Sequence, residues 1–191
     1  MTPSPPPTQP VRVLLLPGWQ DSGPGHWQTL WETRHGDERV QQADWFWPRR
    51  GDWMTQLENA VLAKDGPVLL AAHSLGCHLV AAWAAHSRHA RRAVGALLVA
   101  PPDLSRADLP PQLHSWQPPL LRTLPFPARL VCSDDDPYAC PDASQAMAQA
   151  WGATVTNVDA GGHLNAASSL GNWPEARAWL LALPHSAKFI S

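Results

Sequence analysis

Short apolar runs alternate along the chain with longer segments in which apolar residues recur at helical spacing. Most of the runs are rich in β-branched and aliphatic residues and are apolar throughout, which is typical of strands buried on both faces of a sheet. They predict six strands, near residues 11–16, 39–43, 67–72, 93–100, 128–132 and 154–158, of which the second is weak.

Helical patterns lie between most of these strands. Trp27, Leu30 and Trp31, for example, are spaced i, i+3 and i+4, which places three large apolar side chains on one helical face. The predicted helices cover residues 26–34, 52–64, 75–89, 142–151 and 174–183. Strands that alternate with helices in this way indicate an α/β fold with a mostly parallel sheet and helices on both of its faces.

The chain is long enough for one domain with a substantial core, since it has 191 residues of which 45% are hydrophobic. We expect residues 11–191 to form that domain and residues 1–10, which include five prolines, to be a flexible tail. Residues 101–127 contain eight prolines and several large apolar residues. That segment is too long for an ordinary connection, so we expect it to pack on the domain as a rigid loop with room for a short helix.

Charge and cysteine content exclude several classes of protein. The formal net charge is −2, so no basic excess favours nucleic acid or an anionic membrane surface. The first residues lack the basic and apolar regions of a secretory signal, and no apolar run is long enough to span a membrane. Three cysteines are an odd and sparse set, so we expect reduced thiols, with Cys77 buried in the core. These features predict a soluble, cytoplasmic protein.

The sequence Ala-His-Ser-Leu-Gly at residues 72–76 lies directly between a predicted strand and a predicted helix. A nucleophile elbow needs this context, because small flanking residues permit the tight turn that lifts the serine above the carboxyl ends of the strands. Ser74 between small residues is also an ordinary helix N-cap, which is the alternative interpretation.

A serine nucleophile needs a base and a residue that orients the base, and both follow at equivalent places. Three aspartates, 134–136, follow the fifth strand, and His163 follows the sixth behind two glycines. We assign Asp136 as the orienting acid because Pro137 restricts its backbone, whereas Asp134 and Asp135 are the alternatives. The chain order Ser, Asp, His is that of the α/β-hydrolases.

The remaining candidate residues lie on loops at the same edge of the sheet. We assign the main-chain N–H groups of Trp19 and Leu75 to an oxyanion hole. The candidate substrate-binding residues are Gln20, His26, His73, Trp116 and Tyr138. We expect neither a cofactor nor a metal ion, because no set of metal-ligand residues has a suitable spacing. The aromatic residues 45–47 are expected to pack in the core, and an exposed partner surface is the alternative.

Several of these segments together resemble a known family. They are Leu-Pro-Gly-Trp-Gln-Asp-Ser-Gly-Pro-Gly-His-Trp at 16–27, His-Ser-Leu-Gly at 73–76, Ser-Asp-Asp-Asp-Pro-Tyr at 133–138 and Gly-His-Leu-Asn at 162–165. The chain from Val11 onward resembles the small single-domain serine hydrolases related to retinoblastoma-binding protein 9. Ala72 and Cys77 stand where many hydrolases of this fold have glycine, but both are small.

The resemblance implies an α/β-hydrolase fold without a large cap domain, strand order 2-1-3-4-5-6, and a triad of Ser74, Asp136 and His163. It also implies a hydrolase that cleaves a carboxylic ester, thioester or activated amide through an acyl-enzyme, with a small-molecule acyl substrate and no nucleic-acid or membrane partner. One alternative is a non-catalytic module of the same fold that binds a protein partner, although nothing in the sequence indicates such a partner. A second is a serine peptidase that acts on small peptides.

Overall fold

The computed structural model describes residues 11–184, and in this range six strands form a single parallel sheet in the order β2-β1-β3-β4-β5-β6. The strands are β1 (Arg12–Leu16), β2 (Glu38–Arg39), β3 (Val68–His73), β4 (Ala93–Val99), β5 (Ala128–Cys132) and β6 (Thr154–Asn157). The predicted α/β fold and strand order are confirmed. The tail predicted for residues 1–10 lies outside the described residues.

Five α-helices cover the two faces of the sheet. They are α1 (Trp27–His35), α2 (Arg50–Leu62), α3 (Leu75–His86), α4 (Pro141–Trp151) and α5 (Pro174–Leu181). Helices α2, α3 and α4 pack on one face and bury the larger apolar core, whereas α1 and α5 pack on the other face around a smaller core. None of the helices within residues 11–184 combines the length and the apolar character that crossing a bilayer requires.

Two elements end three or more residues before their predicted ends. β2 is an edge strand that pairs with β1 alone and ends at Arg39, and the N–H of the next residue, Val40, still donates to the carbonyl of Leu15 at 2.9 Å. α3 ends at His86, three residues before the predicted end. The Ser87 hydroxyl accepts a hydrogen bond from the N–H of His89 at 2.9 Å and donates one to Glu58 at 2.7 Å. A serine side chain that hydrogen-bonds to the nearby main chain in this way competes with the helical hydrogen bonds, and the helix ends.

The proline-rich segment 101–127 packs on the larger core, as expected. It contributes buried apolar side chains from Leu104, Leu113, Trp116, Leu124 and Phe126. A short 3-10 helix, Pro111–Trp116, lies in the middle of the segment.

The prediction for the aromatic residues 45–47 is wrong for two of the three. Trp45 packs against Trp53 with 5.5 Å between ring centroids, but Phe46 is 69% exposed and Trp47 is 50% exposed. The carboxylate of Asp44 accepts hydrogen bonds from the N–H groups of Phe46 and Trp47 at 2.8 and 2.9 Å. This Asx turn, a local backbone feature, directs both rings away from the core.

The parallel register places the end of β1 against the beginning of α3. A Cβ added at Gly76 would lie 2.2 Å from the carbonyl oxygen of Leu16 and 2.9 Å from that of Pro17. These oxygens belong to the main chain and have no side-chain freedom with which to move away. The absence of a side chain at residue 76 is therefore what allows α3 to start directly beside the sheet.

Replacing Gly76 with alanine is expected to lower the free energy of unfolding by about 3 kcal/mol or more, because the methyl group would overlap the main chain of β1. Gly51 is the matched control, since it lies in α2 and a Cβ there would have nothing within 4 Å. Gly51→Ala should raise the free energy of unfolding by up to about 1 kcal/mol, the difference in helix propensity. Urea denaturation measures both, and a Gly76→Ala protein as stable as the wild type would contradict the close approach.

Candidate active site

Ser74 lies at the sharp turn between β3 and α3. Its main chain has φ 54° and ψ −124°, a conformation that residues with a side chain rarely adopt. The Ser74 N–H donates to the carbonyl of Val99 at 2.8 Å. Gly18 packs so closely that a Cβ on it would lie 2.7 Å from the Ser74 Cβ. The turn has the form of the nucleophile elbow expected at this position and presents the serine hydroxyl at the carboxyl edge of the sheet.

His163 lies between Ser74 and Asp136. Its Nε2 is 2.9 Å from Ser74 Oγ, and its Nδ1 is 3.0 Å from each carboxylate oxygen of Asp136. Because an ionised carboxylate only accepts hydrogen bonds, Nδ1 carries the proton and Nε2 is free to accept one from the serine hydroxyl. The Asp136 side chain is only 3% exposed. The structure therefore brings together three residues that lie on three separate loops.

Asp134 and Asp135, the alternatives to Asp136, have other partners. Asp134 accepts a hydrogen bond from the side chain of Asn157 at 2.6 Å. Asp135 accepts one from the main-chain N–H of Gly162 at 2.7 Å. It thereby tethers the glycine loop that leads to the histidine, a contact that the sequence analysis missed.

The main chain of the histidine loop is held from beneath by two ring N–H groups. His73 Nε2 donates to the carbonyl of His163 at 2.9 Å, and Trp27 Nε1 donates to the carbonyl of Leu164 at 3.1 Å. Burial, followed by electrostatic coupling to the nearby imidazoles of His26 and His163, holds the pKa of His73 well below its ordinary value, so this donor is a neutral imidazole. His73 was predicted to bind substrate; it reaches the cavity wall, but its Nε2 is occupied by the main chain.

The loop between β1 and α1 is tied to the sheet by buried polar side chains. The Gln28 amide donates to the carbonyl of Ala71 in β3 at 2.9 Å and accepts from the hydroxyl of Ser22 at 2.7 Å. Arg39, at the end of β2, donates to Asp21 at 2.5 Å. Contacts with two neighbouring strands thus fix the backbone of this loop. A loop needs such a fixed backbone if its main-chain N–H groups are to act as preorganised donors.

The main-chain N–H groups of Trp19 and Leu75 belong to residues that line the cavity beside Ser74. Leu75 is the first residue of α3, where an N–H has no partner within the helix. Within the described chain, neither N–H donates to another residue. The two groups predicted for an oxyanion hole are therefore available at the site.

A cavity of about 570 Å³ opens above Ser74. Its wall includes four of the predicted substrate-binding residues, Gln20, His26, His73 and Tyr138, together with residues of the proline-rich segment. Tyr138 stands with its ring 4.5 Å from that of His163. A second cavity of about 520 Å³ lies on the other side of Tyr138 and shares Tyr138, His163 and Asn165 with the first.

Trp116, also predicted to bind substrate, lies elsewhere. It is 1% exposed, its indole N–H donates to the carbonyl of Pro48 at 2.8 Å, and its ring packs on Trp53 at 5.6 Å between centroids. The apolar surface of the ring and the satisfied N–H make Trp116 a core residue. The prediction that it lines the cavity is corrected.

The Cys77 thiol belongs to the core, and the described residues form no candidate metal site. Cys77 is buried beneath the turn, and burial raises its pKa well above the ordinary value, which agrees with the expected core thiol. Within residues 11–184, no group of three or more His, Cys, Asp or Glu side chains is arranged to hold a metal ion.

Comparison with known proteins finds relatives of the same architecture. The chain is similar to a protein described as a YdeN-like hydrolase from Pectobacterium atrosepticum, with 25% identity, a TM-score of 0.78, and coverage of 91% of this chain and 93% of the other. It is also similar to the ydeN gene product of Bacillus subtilis, with 22% identity, a TM-score of 0.71, and coverage of 91% and 98%. Carboxylesterase CesB of B. subtilis shares the fold at 15% identity and a TM-score of 0.58, with coverage of 94% and 84%.

A comparison with curated protein sequences found no significant match. A protein-family model described as serine hydrolase does match, over residues 13–182. That range includes every side chain of the site described above and nearly the whole described fold. The chain therefore belongs to the serine hydrolase family.

Proposed function

We propose that this protein hydrolyses small carboxylic esters, thioesters or activated amides through an acyl-enzyme formed on Ser74. The observation that carries the proposal is the continuous hydrogen-bonded chain from Ser74 Oγ through His163 to Asp136. The main-chain N–H groups of Trp19 and Leu75, which donate to no residue between 11 and 184, support it. The family membership and the esterase named among the structural neighbours agree with hydrolysis of this kind.

In the first step, His163 Nε2 accepts the hydroxyl proton of Ser74 as Oγ bonds to the carbonyl carbon of the substrate. The carbonyl oxygen takes up the negative charge and receives hydrogen bonds from the N–H groups of Trp19 and Leu75. Such a donor contributes about 3 kcal/mol to the stability of the transition state. Asp136 keeps Nδ1 protonated and stabilises the imidazolium while it exists.

The intermediate then collapses. The bond from the carbonyl carbon to the leaving group breaks, and the leaving group departs with the proton that His163 holds. Water attacks the acyl-serine in the same geometry and gives its proton to His163, and Ser74 recovers a proton when the second intermediate collapses. The products are a carboxylic acid and an alcohol, thiol or amine, so the cycle balances without a cofactor.

The walls of the cavity favour short acyl groups. The loop after β1, the proline-rich segment and Tyr138 surround an open depression, and no separate cap domain covers it in residues 11–184. We therefore propose a small-molecule acyl substrate. We also propose kinship with hydrolases related to retinoblastoma-binding protein 9 and a cytoplasmic location.

Ser74→Ala is expected to lower kcat by about 10⁴ to 10⁶ while leaving the fold intact, because the nucleophile is lost and its small side chain fills no core space. Labelling by a fluorophosphonate probe, read by mass spectrometry, should modify the wild-type protein at Ser74 alone. A folded wild-type protein that takes up no label would refute the acyl-enzyme and favour a non-catalytic binding protein.

Substitutions of the three adjacent aspartates are expected to lower kcat to different extents. Asp136→Asn should lower kcat by about 10⁴, because the histidine then loses its required tautomer and orientation. Asp135→Ala should lower kcat by roughly 10-fold, because it loosens the loop that precedes His163. Asp134→Ala, the control on the same loop, should remain within about 2-fold of wild type. Steady-state rates on one ester rank the three, and a larger loss for Asp134 or Asp135 than for Asp136 would reassign the acid.

A series of p-nitrophenyl esters tests the proposed size of the acyl pocket. Because the leaving group is constant, kcat/KM reports the fit of the acyl chain. We expect the highest values for acetyl and butyryl esters and a decline for longer chains. A steady rise with chain length beyond butyryl would contradict a shallow pocket.

A further inference from the structure

His26 occupies a position at the cavity wall that the steps above do not use. It is the N-cap of α1, and its Nδ1 accepts a hydrogen bond from the main-chain N–H of Gln28 at 3.2 Å. A ring nitrogen that accepts a hydrogen bond carries no proton, so the proton of the neutral ring is on Nε2. The helix cap therefore fixes the tautomer of His26 and makes Nε2 a donor.

That donor is buried and has no partner. His26 is 3% exposed, and no group of the described chain accepts a hydrogen bond from its Nε2. Leaving a buried donor unsatisfied destabilises the folded protein, so a protein rarely keeps one without a use. Burial, followed by the nearby charge of Arg39, lowers the pKa of His26 to about 4, so the ring stays neutral at physiological pH.

The cavity that the His26 ring lines indicates that this residue would contact the acyl part of the substrate. His26 lines the larger cavity with Ser74 and Trp19 but does not line the second cavity, whereas His163 lines both. The leaving group must lie against His163, which protonates it, and the carbonyl oxygen must point at the N–H groups of Trp19 and Leu75. The acyl chain then takes the remaining direction, within the larger cavity.

We propose that the Nε2–H of His26 donates a hydrogen bond to an oxygen carried by the acyl chain of the substrate. The inference rests on the acyl-enzyme function proposed above and narrows its substrate class to short acyl groups with an ether, hydroxyl or carbonyl oxygen near the scissile carbonyl. A site with a buried donor discriminates strongly against an isosteric chain that lacks the acceptor, because the donor then stays unpaired in the transition state. His26 is thus a specificity-determining residue.

The test compares p-nitrophenyl methoxyacetate with p-nitrophenyl butyrate, whose acyl chains differ by one ether oxygen in place of one CH₂ group. The ratio of their kcat/KM values is determined in wild type and in two variants, so that the difference in intrinsic reactivity cancels. His26→Asn keeps an oxygen that can cap α1 but cannot place a donor where Nε2 lies. His26→Phe keeps the ring volume and removes both nitrogens.

We expect the methoxyacetyl to butyryl ratio to fall by about 10-fold in both variants. Thermal stability should fall in His26→Phe and much less in His26→Asn, which separates the loss of the cap from the loss of the donor. An unchanged ratio in both variants would overturn the inference and leave His26 as a helix cap.

Fluorophosphonate labelling of wild type distinguishes this failure from failure of the proposed function. If the wild-type protein is labelled but the methoxyacetyl to butyryl ratio is the same in wild type and both variants, only the role of His26 is overturned. Wild type that is folded but neither labels nor hydrolyses either ester overturns both proposals. A reduced ratio in His26→Asn together with normal labelling of wild type supports both.

Discussion

The site depends on how closely the end of β1 approaches the turn that carries Ser74. Two glycines make this approach possible. Gly76 lies against the carbonyl oxygens of Leu16 and Pro17, and Gly18 lies against Ser74 itself. With a side chain at either glycine, the strand and the helix would have to separate. The same close approach brings the loop after β1, with the main-chain N–H of Trp19, beside the Ser74 hydroxyl. The position of Ser74 and the placement of the loop after β1 are therefore two consequences of one packing constraint.

The features that could be predicted from the sequence are those set by local pattern and chain order. Apolar strands that alternate with helices specify a parallel sheet, and in such a sheet the loops after the strands share one edge. That rule was sufficient to bring Ser74, Asp136 and His163 together from positions far apart in the chain. The choice among the three aspartates rested on Pro137, a backbone constraint that can be read from the sequence.

The features that could not be predicted depend on individual polar contacts that the pattern of apolar residues does not reveal. Trp116 was assigned to the cavity, but its indole N–H meets the carbonyl of Pro48 in the interior. Phe46 and Trp47 were assigned to the core because tryptophan and phenylalanine are usually buried, but hydrogen bonds to Asp44 turn this short stretch outward. In each case one polar contact decided the direction of a large ring, and composition carries no information about that contact.

The neutral state of His26 and His73 affects the proton transfer proposed for His163. The rings of His26 and His73 lie 4.6 Å apart, and those of His73 and His163 lie 4.9 Å apart. In the proposed acyl transfer His163 becomes an imidazolium, and a charged histidine beside it would oppose that change. Burial prevents this, because it keeps both neighbours in the neutral form at physiological pH. The positive charge that develops on His163 then faces the carboxylate of Asp136 and uncharged rings, so the same burial that stabilises the histidine loop also favours the proton transfer.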